Sequence, residues 1–188
     1  MTIEALKIFE SMKKKIDFGC GPNKKQGFYG VDIIPFPNID LVLNIGKDHW
    51  PWEDGSVEEA HASHFVEHLT AQERVHFVNE LYRVLEPGGK LLMVTPHWAS
   101  CRAYGDPTHM WPPVSEFWFF YLNKEWRKVN ASHTDIEFNS SGFNCDFTIT
   151  SGYSMRQDLI TRNQEYQQFA LMNYKEVAMD MIATFVKK

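Results

Sequence analysis

The sequence of 188 residues predicts an α/β fold, a Rossmann-like and mostly parallel sheet flanked by helices, with an antiparallel strand near the C-terminus. Three observations predict it. A short apolar run, Ile16-Asp17-Phe18, ends in the Gly-rich turn Gly19-Cys20-Gly21-Pro22. The stretch 57–95 reads strand, helix, strand, the unit from which parallel sheets are built. Two strand-like runs then bracket a helical one at the end of the chain, an order that suits an antiparallel edge on a parallel sheet.

Residues 1–15 mix Ile3, Leu6, Ile8 and Phe9 with charges and read as a short amphipathic helix. The segment has no apolar stretch of signal-peptide type. The second strand is expected over 28–34, ended by Pro35 and Pro37, and a third, buried strand over 40–45. Trp50 to Ser56 reads as a loop, and 57–64 as the fourth strand. The helix expected over 70–85 has the clearest signals: Thr70 with Glu73 makes a capping-box pattern, and Val75, Val78, Tyr82 and Leu85 recur at helical spacing. Glu86-Pro87-Gly88-Gly89 stops it before a fifth strand over 90–95. A long loop follows over 98–113, then an aromatic-rich helix over 116–127, a strand over 144–153, a helix over 157–172 and a last strand over 176–186.

Length and composition bound the function. A chain of 188 residues holds one sizeable core, so a single domain spanning 1–188 is expected. The formal net charge of −5 argues against a duplex nucleic-acid partner, which calls for clustered Lys or Arg. The basic cluster that is present, Lys13–Lys15 with Lys24 and Lys25, is small. Three cysteines, Cys20, Cys101 and Cys145, have no C-x-x-C spacing, so neither a zinc ribbon nor a disulfide scaffold is expected, and no metal ligands are assigned. No apolar run reaches membrane-spanning length, and a cytoplasmic location is expected.

Glycines at 19 and 21 let a backbone pass close to a ligand. Asp32, at the end of the next strand, offers a carboxylate to both ribose hydroxyls of an adenosine cofactor. A dinucleotide fold sets that acid about 20 positions after the first glycine. Here the interval is 13 positions (32 − 19), so the intervening helix must shrink to a turn. That disfavours NAD, whose pyrophosphate needs a full helix N-terminus, more than S-adenosylmethionine (SAM), which has no pyrophosphate. The absent third glycine, replaced by Lys24, points the same way.

The chain resembles the class I SAM-dependent methyltransferases, in their compact type 11-like branch. Five segments carry the resemblance in order: Asp17–Pro22, Gly27–Ile33, Pro51–Val57, Ala62–Leu69 and Leu81–Lys90. It covers residues 15 to about 96 well and the remainder loosely. It implies SAM as cofactor, bound by Asp17, Gly19, Cys20, Gly21, Asp32, Ile33, Asn44, Ile45, His64 and Phe65. The family's adenine-side acid falls at Asn44, so an amide oxygen would meet the adenine amino group there. The strand-four motif of amino-methylating DNA enzymes is replaced by Ser63-His64-Phe65-Val66, and no Cys follows a Pro. Neither duplex-DNA chemistry is therefore implied, and the acceptor stays open.

Methyl transfer needs alignment of donor and acceptor and, for some acceptors, a base. In open α/β sheets that work lies beyond the carboxyl ends of the strands. His97, Asp106 and His109 are the candidate catalytic residues there, on a loop that can fold over the site. Clustered titratable groups favour an active enzyme, acting on a small-molecule, sugar or other non-duplex acceptor, over a degenerate SAM-binding domain serving as partner or sensor. The aromatic run near Phe117 is apolar on all sides, so something must cover it: the core, an acceptor, or a second copy in a homodimer.

Overall fold

The computed structural model describes residues 14–131 and 142–188. The helix expected at the N-terminus lies outside the described residues but for its last two positions. Among the described residues seven strands form one sheet in the order β3-β2-β1-β4-β5-β7-β6. They are β1 (Lys15–Phe18), β2 (Tyr29–Asp32), β3 (Leu41–Val42), β4 (Val57–Ser63), β5 (Leu85–Pro96), β6 (Phe147–Met155) and β7 (Ala178–Lys187). The first five run parallel. β7 lies antiparallel to β5 on one side and to β6 on the other, so the antiparallel portion is a pair of strands.

The link between β1 and β2 contains turns and no helix, as the short glycine-to-acid interval requires. Between β4 and β5 comes α1 (Ala71–Val84), opened by a full capping box: Thr70 Oγ1 accepts from the Glu73 N–H while the Glu73 carboxylate accepts from the Thr70 N–H. Its buried face, Arg74, Phe77, Val78, Leu81 and Val84, packs on the sheet. Trp50 and Trp52, on the loop before β4, enter the core; the Trp50 ring lies 4.4 Å from that of Phe18 and 5.5 Å from that of Phe77. The Trp50 Nε1–H donates to the Ile45 carbonyl, so burying the indole leaves no unmet donor.

Four expectations need correction. The run 40–45 supplies a two-residue strand at the sheet edge with Val42 half exposed, not a buried strand. The fifth strand begins at Leu85, not Lys90, and the Pro-Gly-Gly turn is absorbed as an irregularity in its pairing with β4. The helix expected over 116–127 is two, α2 (Glu116–Phe120) and α3 (Lys124–Asn130), because Asn123 turns its side chain onto the Trp126 N–H and starts a new helix. The helix expected over 157–172 divides likewise into α4 (Gln157–Ile160) and α5 (Gln164–Asn173), with Asn163 capping Tyr166.

Candidate functional site

Sheet order reverses between β1 and β4, and the crevice at such a switch point is where open α/β sheets take ligands. Gly19 leaves β1 there with φ of +60°, a conformation costly for any residue with a Cβ, and a Cβ would fall inside the Phe65 ring. Gly21, with φ of +54°, continues the turn. The Asp32 carboxylate ties the two loops together: one oxygen accepts from the Gly21 N–H and the other from the Ile34 N–H, both at 2.9 Å.

A cavity of about 520 Å³ opens at this point. Eight of the residues expected to contact a cofactor line it: Gly19, Gly21, Asp32, Ile33, Asn44, Ile45, His64 and Phe65. Asp17 and Cys20 do not. Asp17 sits buried behind the turn, where its carboxylate accepts from the Lys25 N–H at 2.7 Å and meets His61 Nδ1 at 2.7 Å. It shapes the loop from below. Burial, reinforced by the Asp17 and Asp32 charges, pushes the Cys20 thiol up to about 11. Apolar walls come from Phe36, Leu43 and Leu69, which sequence reasoning did not single out, and Lys47, His68 and Glu73 also line the cavity. Ile33 and Ile34 are more than half exposed at its rim, apolar surface that a bound ligand would cover. The volume suits a nucleoside-sized ligand.

A second cavity, of about 590 Å³, adjoins the first and shares His64 and His68 with it. Glu67, Arg102, Asp106 and His109 contribute to its walls. His64 has φ of +52°, a strained choice for a non-glycine residue, and its N–H donates to the Val94 carbonyl.

The comparisons with known proteins fit this geometry. Residues 23–93 match the family model described as a methyltransferase domain. A SAM-dependent methyltransferase from Archaeoglobus fulgidus superposes with a TM-score of 0.65 at 17% identity, covering 98% of this chain and 90% of that one. A putative methyltransferase from Haloferax volcanii, solved with the Trm112 methyltransferase activator, superposes at 0.52 with 15% identity, over 94% of this chain and 82% of that one. YcgJ from Bacillus subtilis gives 0.50 at 13% identity, over 98% and 97%. No curated protein matches the chain in sequence. Residues 23–93 thus resemble the methyltransferase-domain family, and the chain has the fold of these solved methyltransferases.

Of the three candidate catalytic residues, one lies outside both cavities. His97 lines neither. It is buried, its Nε2 meets Glu116 at 3.0 Å, and its Nδ1 accepts from the Ala99 N–H, so both ring nitrogens are engaged. Burial opposes ionisation of Glu116, but hydrogen bonds from His97, its own backbone and Tyr153 outweigh it and hold the carboxyl at about 2. Burial, with Glu116 beside it, pushes Tyr153 up to about 12. Asp106 and His109 line the second cavity. The Asp106 carboxylate accepts from the Thr108 N–H and hydroxyl, which lowers its pKa. The loop 98–113 that carries them is fastened down: the buried Arg74 guanidinium donates to the carbonyls of Val66, Met110 and Pro112. The Met110 N–H donates to the Glu67 carbonyl. A buried Arg at a helical core position carries no sequence signal for this clamp.

Proposed function

We propose that this chain is a SAM-dependent methyltransferase that acts on a small polar acceptor, a sugar or another hydroxyl-bearing molecule, seated in the second cavity. The observation that carries the proposal is the junction of the two cavities at His64 and His68. A cofactor on one side and an acceptor on the other would meet there, the alignment that in-line displacement requires.

On this reading Asp32 accepts hydrogen bonds from the ribose hydroxyls with its remaining lone pairs. The Asn44 amide oxygen accepts from the adenine amino group, and Phe36, Leu43 and Leu69 enclose the base. SAM supplies an activated methyl group and leaves as S-adenosylhomocysteine. Arg102 and Asp106 hold the acceptor's polar groups, and His109 lines the same wall. An acceptor that loses a proton gives it to His64 Nε2, since the carboxylate of Glu67 takes the Nδ1 hydrogen.

The net charge of −5 supports a non-duplex acceptor. Among the described residues no helix is long and apolar enough to cross a membrane. The three unpaired cysteines support a reducing, cytoplasmic setting. Phe117 and Trp111, two-thirds and four-fifths exposed, are the face we assign to a homodimer contact.

The test is release of S-adenosylhomocysteine from SAM in the presence of fractionated small metabolites. Release dependent on one fraction, and lost in His64→Ala, is expected. SAM binding without release in any fraction, or release with duplex DNA, contradicts the proposal; the first outcome would make the chain a SAM-binding partner or sensor.

A further inference from the structure

We propose that Glu67, His68 and His109 form a binding site for one divalent first-row transition cation in the wall of the second cavity. Each residue offers a ligand atom, and these atoms lie within 4.8 Å of one another. The rings of His68 and His109 meet edge to face with centroids 4.8 Å apart. Two imidazoles and a carboxylate suit Zn²⁺, Mn²⁺, Fe²⁺ or Co²⁺, whereas Mg²⁺ and Ca²⁺ prefer oxygen ligands throughout.

The hydrogen bonds around the cluster argue for a site over a chance meeting of polar side chains. A backbone carbonyl can only accept, so the bond between His109 Nδ1 and the Ala103 oxygen, 3.1 Å, puts the hydrogen on Nδ1 and leaves Nε2 with its lone pair. The same logic fixes His68. A carboxylate can only accept, so the Thr108 hydroxyl donates to Asp106 at 2.7 Å and its own lone pair takes the His68 Nδ1 hydrogen at 3.2 Å. His68 Nε2 is then also free to bind. Metal-binding histidines are commonly oriented this way, through a carbonyl or carboxylate on the far ring nitrogen.

Glu67 completes the set. Its side chain is only 5% exposed, yet among the described residues no Lys or Arg pairs with the carboxylate. Its partners are the Thr95 hydroxyl at 3.2 Å and His64 Nδ1 at 3.2 Å. The nearby Arg74 spends its guanidinium on backbone carbonyls. A buried carboxylate costs free energy unless it is paired or coordinates a metal.

Three protein ligands leave coordination positions open to the cavity. An acceptor hydroxyl bound at one of them would be held beside His64 and made more acidic. That role rests on the function proposed above; cation binding does not.

The test uses the full chain freed of metal by chelation and titrated with Co²⁺, read by visible absorption and calorimetry. One saturable site is expected, with affinity reduced about tenfold or more in His109→Ala. Thr108→Val, which touches no cation and removes the hydroxyl that accepts the His68 hydrogen and donates to Asp106, is expected to weaken binding while circular dichroism stays unchanged; it serves if His109→Ala does not fold. Absence of saturable binding, or equal affinity in wild type and both variants, would overturn the site. Methyl transfer that persists undiminished with the cation removed would leave the site standing and overturn its role.

Discussion

Gly19 sits where β1 ends, and two facts make it irreplaceable: a positive φ and a Phe65 ring lying where a Cβ would go. Gly19→Ala is expected to displace Phe65, lowering the melting temperature and abolishing SAM binding in the same samples; a variant that melts and binds like wild type would contradict the account. Asp32→Ala removes the acceptor of two backbone bonds as well as the carboxylate proposed for the ribose, and should weaken SAM binding by about 1.5–3 kcal/mol, roughly ten- to a hundredfold by calorimetry. His64 shows the opposite balance. Its left-handed backbone stores strain on the order of 1–3 kcal/mol, so His64→Gly should lose methyl transfer while keeping or raising thermal stability. At this scale the sequence was informative for glycines and acids, whose backbone and charge roles are local. It was uninformative for His97, which looks equivalent to His109 along the chain. Only Glu116, nineteen residues away and brought in by the fold, removes it from the cavities.

Among the elements, α1 does more than pack. Arg74 on its buried face holds the loop that walls the second cavity, and Arg74→Met would strand the carbonyls of Met110 and Pro112. Each carbonyl left without a donor costs about 1–3 kcal/mol, so a clear loss of stability in denaturant is expected, with the Met110 amide gaining fast hydrogen exchange. The loop, whose length reads in the sequence as a segment able to fold over the site, is tied at Met110 and Pro112 in this structure. The start of α2 carries a pH-dependent contribution. The Glu116 carboxyl is held at about 2 against an ordinary 4.5, so its stabilisation is present above about 4.5 and is lost as pH falls towards 2. Melting of wild type and Glu116→Gln should differ at neutral pH and converge near pH 2; a constant gap would contradict this. Helix boundaries were the least legible part. Asn123 and Asn163 each interrupt a continuous amphipathic pattern, and an Asn inside such a pattern reveals itself as a cap only when its side chain turns back on the backbone.

For the whole molecule, β-α-β periodicity and the Gly-rich turn were enough to read the parallel sheet, because both are local consequences of burial and backbone geometry. The switch point and the meeting of two cavities at His64 and His68 depend on strand order, which no local pattern encodes. The exposed aromatic face is a property of the assembled surface too. Sedimentation of Phe117→Ser beside wild type is expected to turn a dimer into a monomer, and a monomeric wild type would exclude that contact. Everything proposed for the second cavity depends on what fills the first. Calorimetric titration of the full chain with S-adenosylhomocysteine, against NAD and ATP as controls, therefore bears most directly on the whole account. One site per chain for S-adenosylhomocysteine, lost in Asp32→Ala and absent for the controls, is the predicted result; no heat with S-adenosylhomocysteine and binding of NAD or ATP would contradict it.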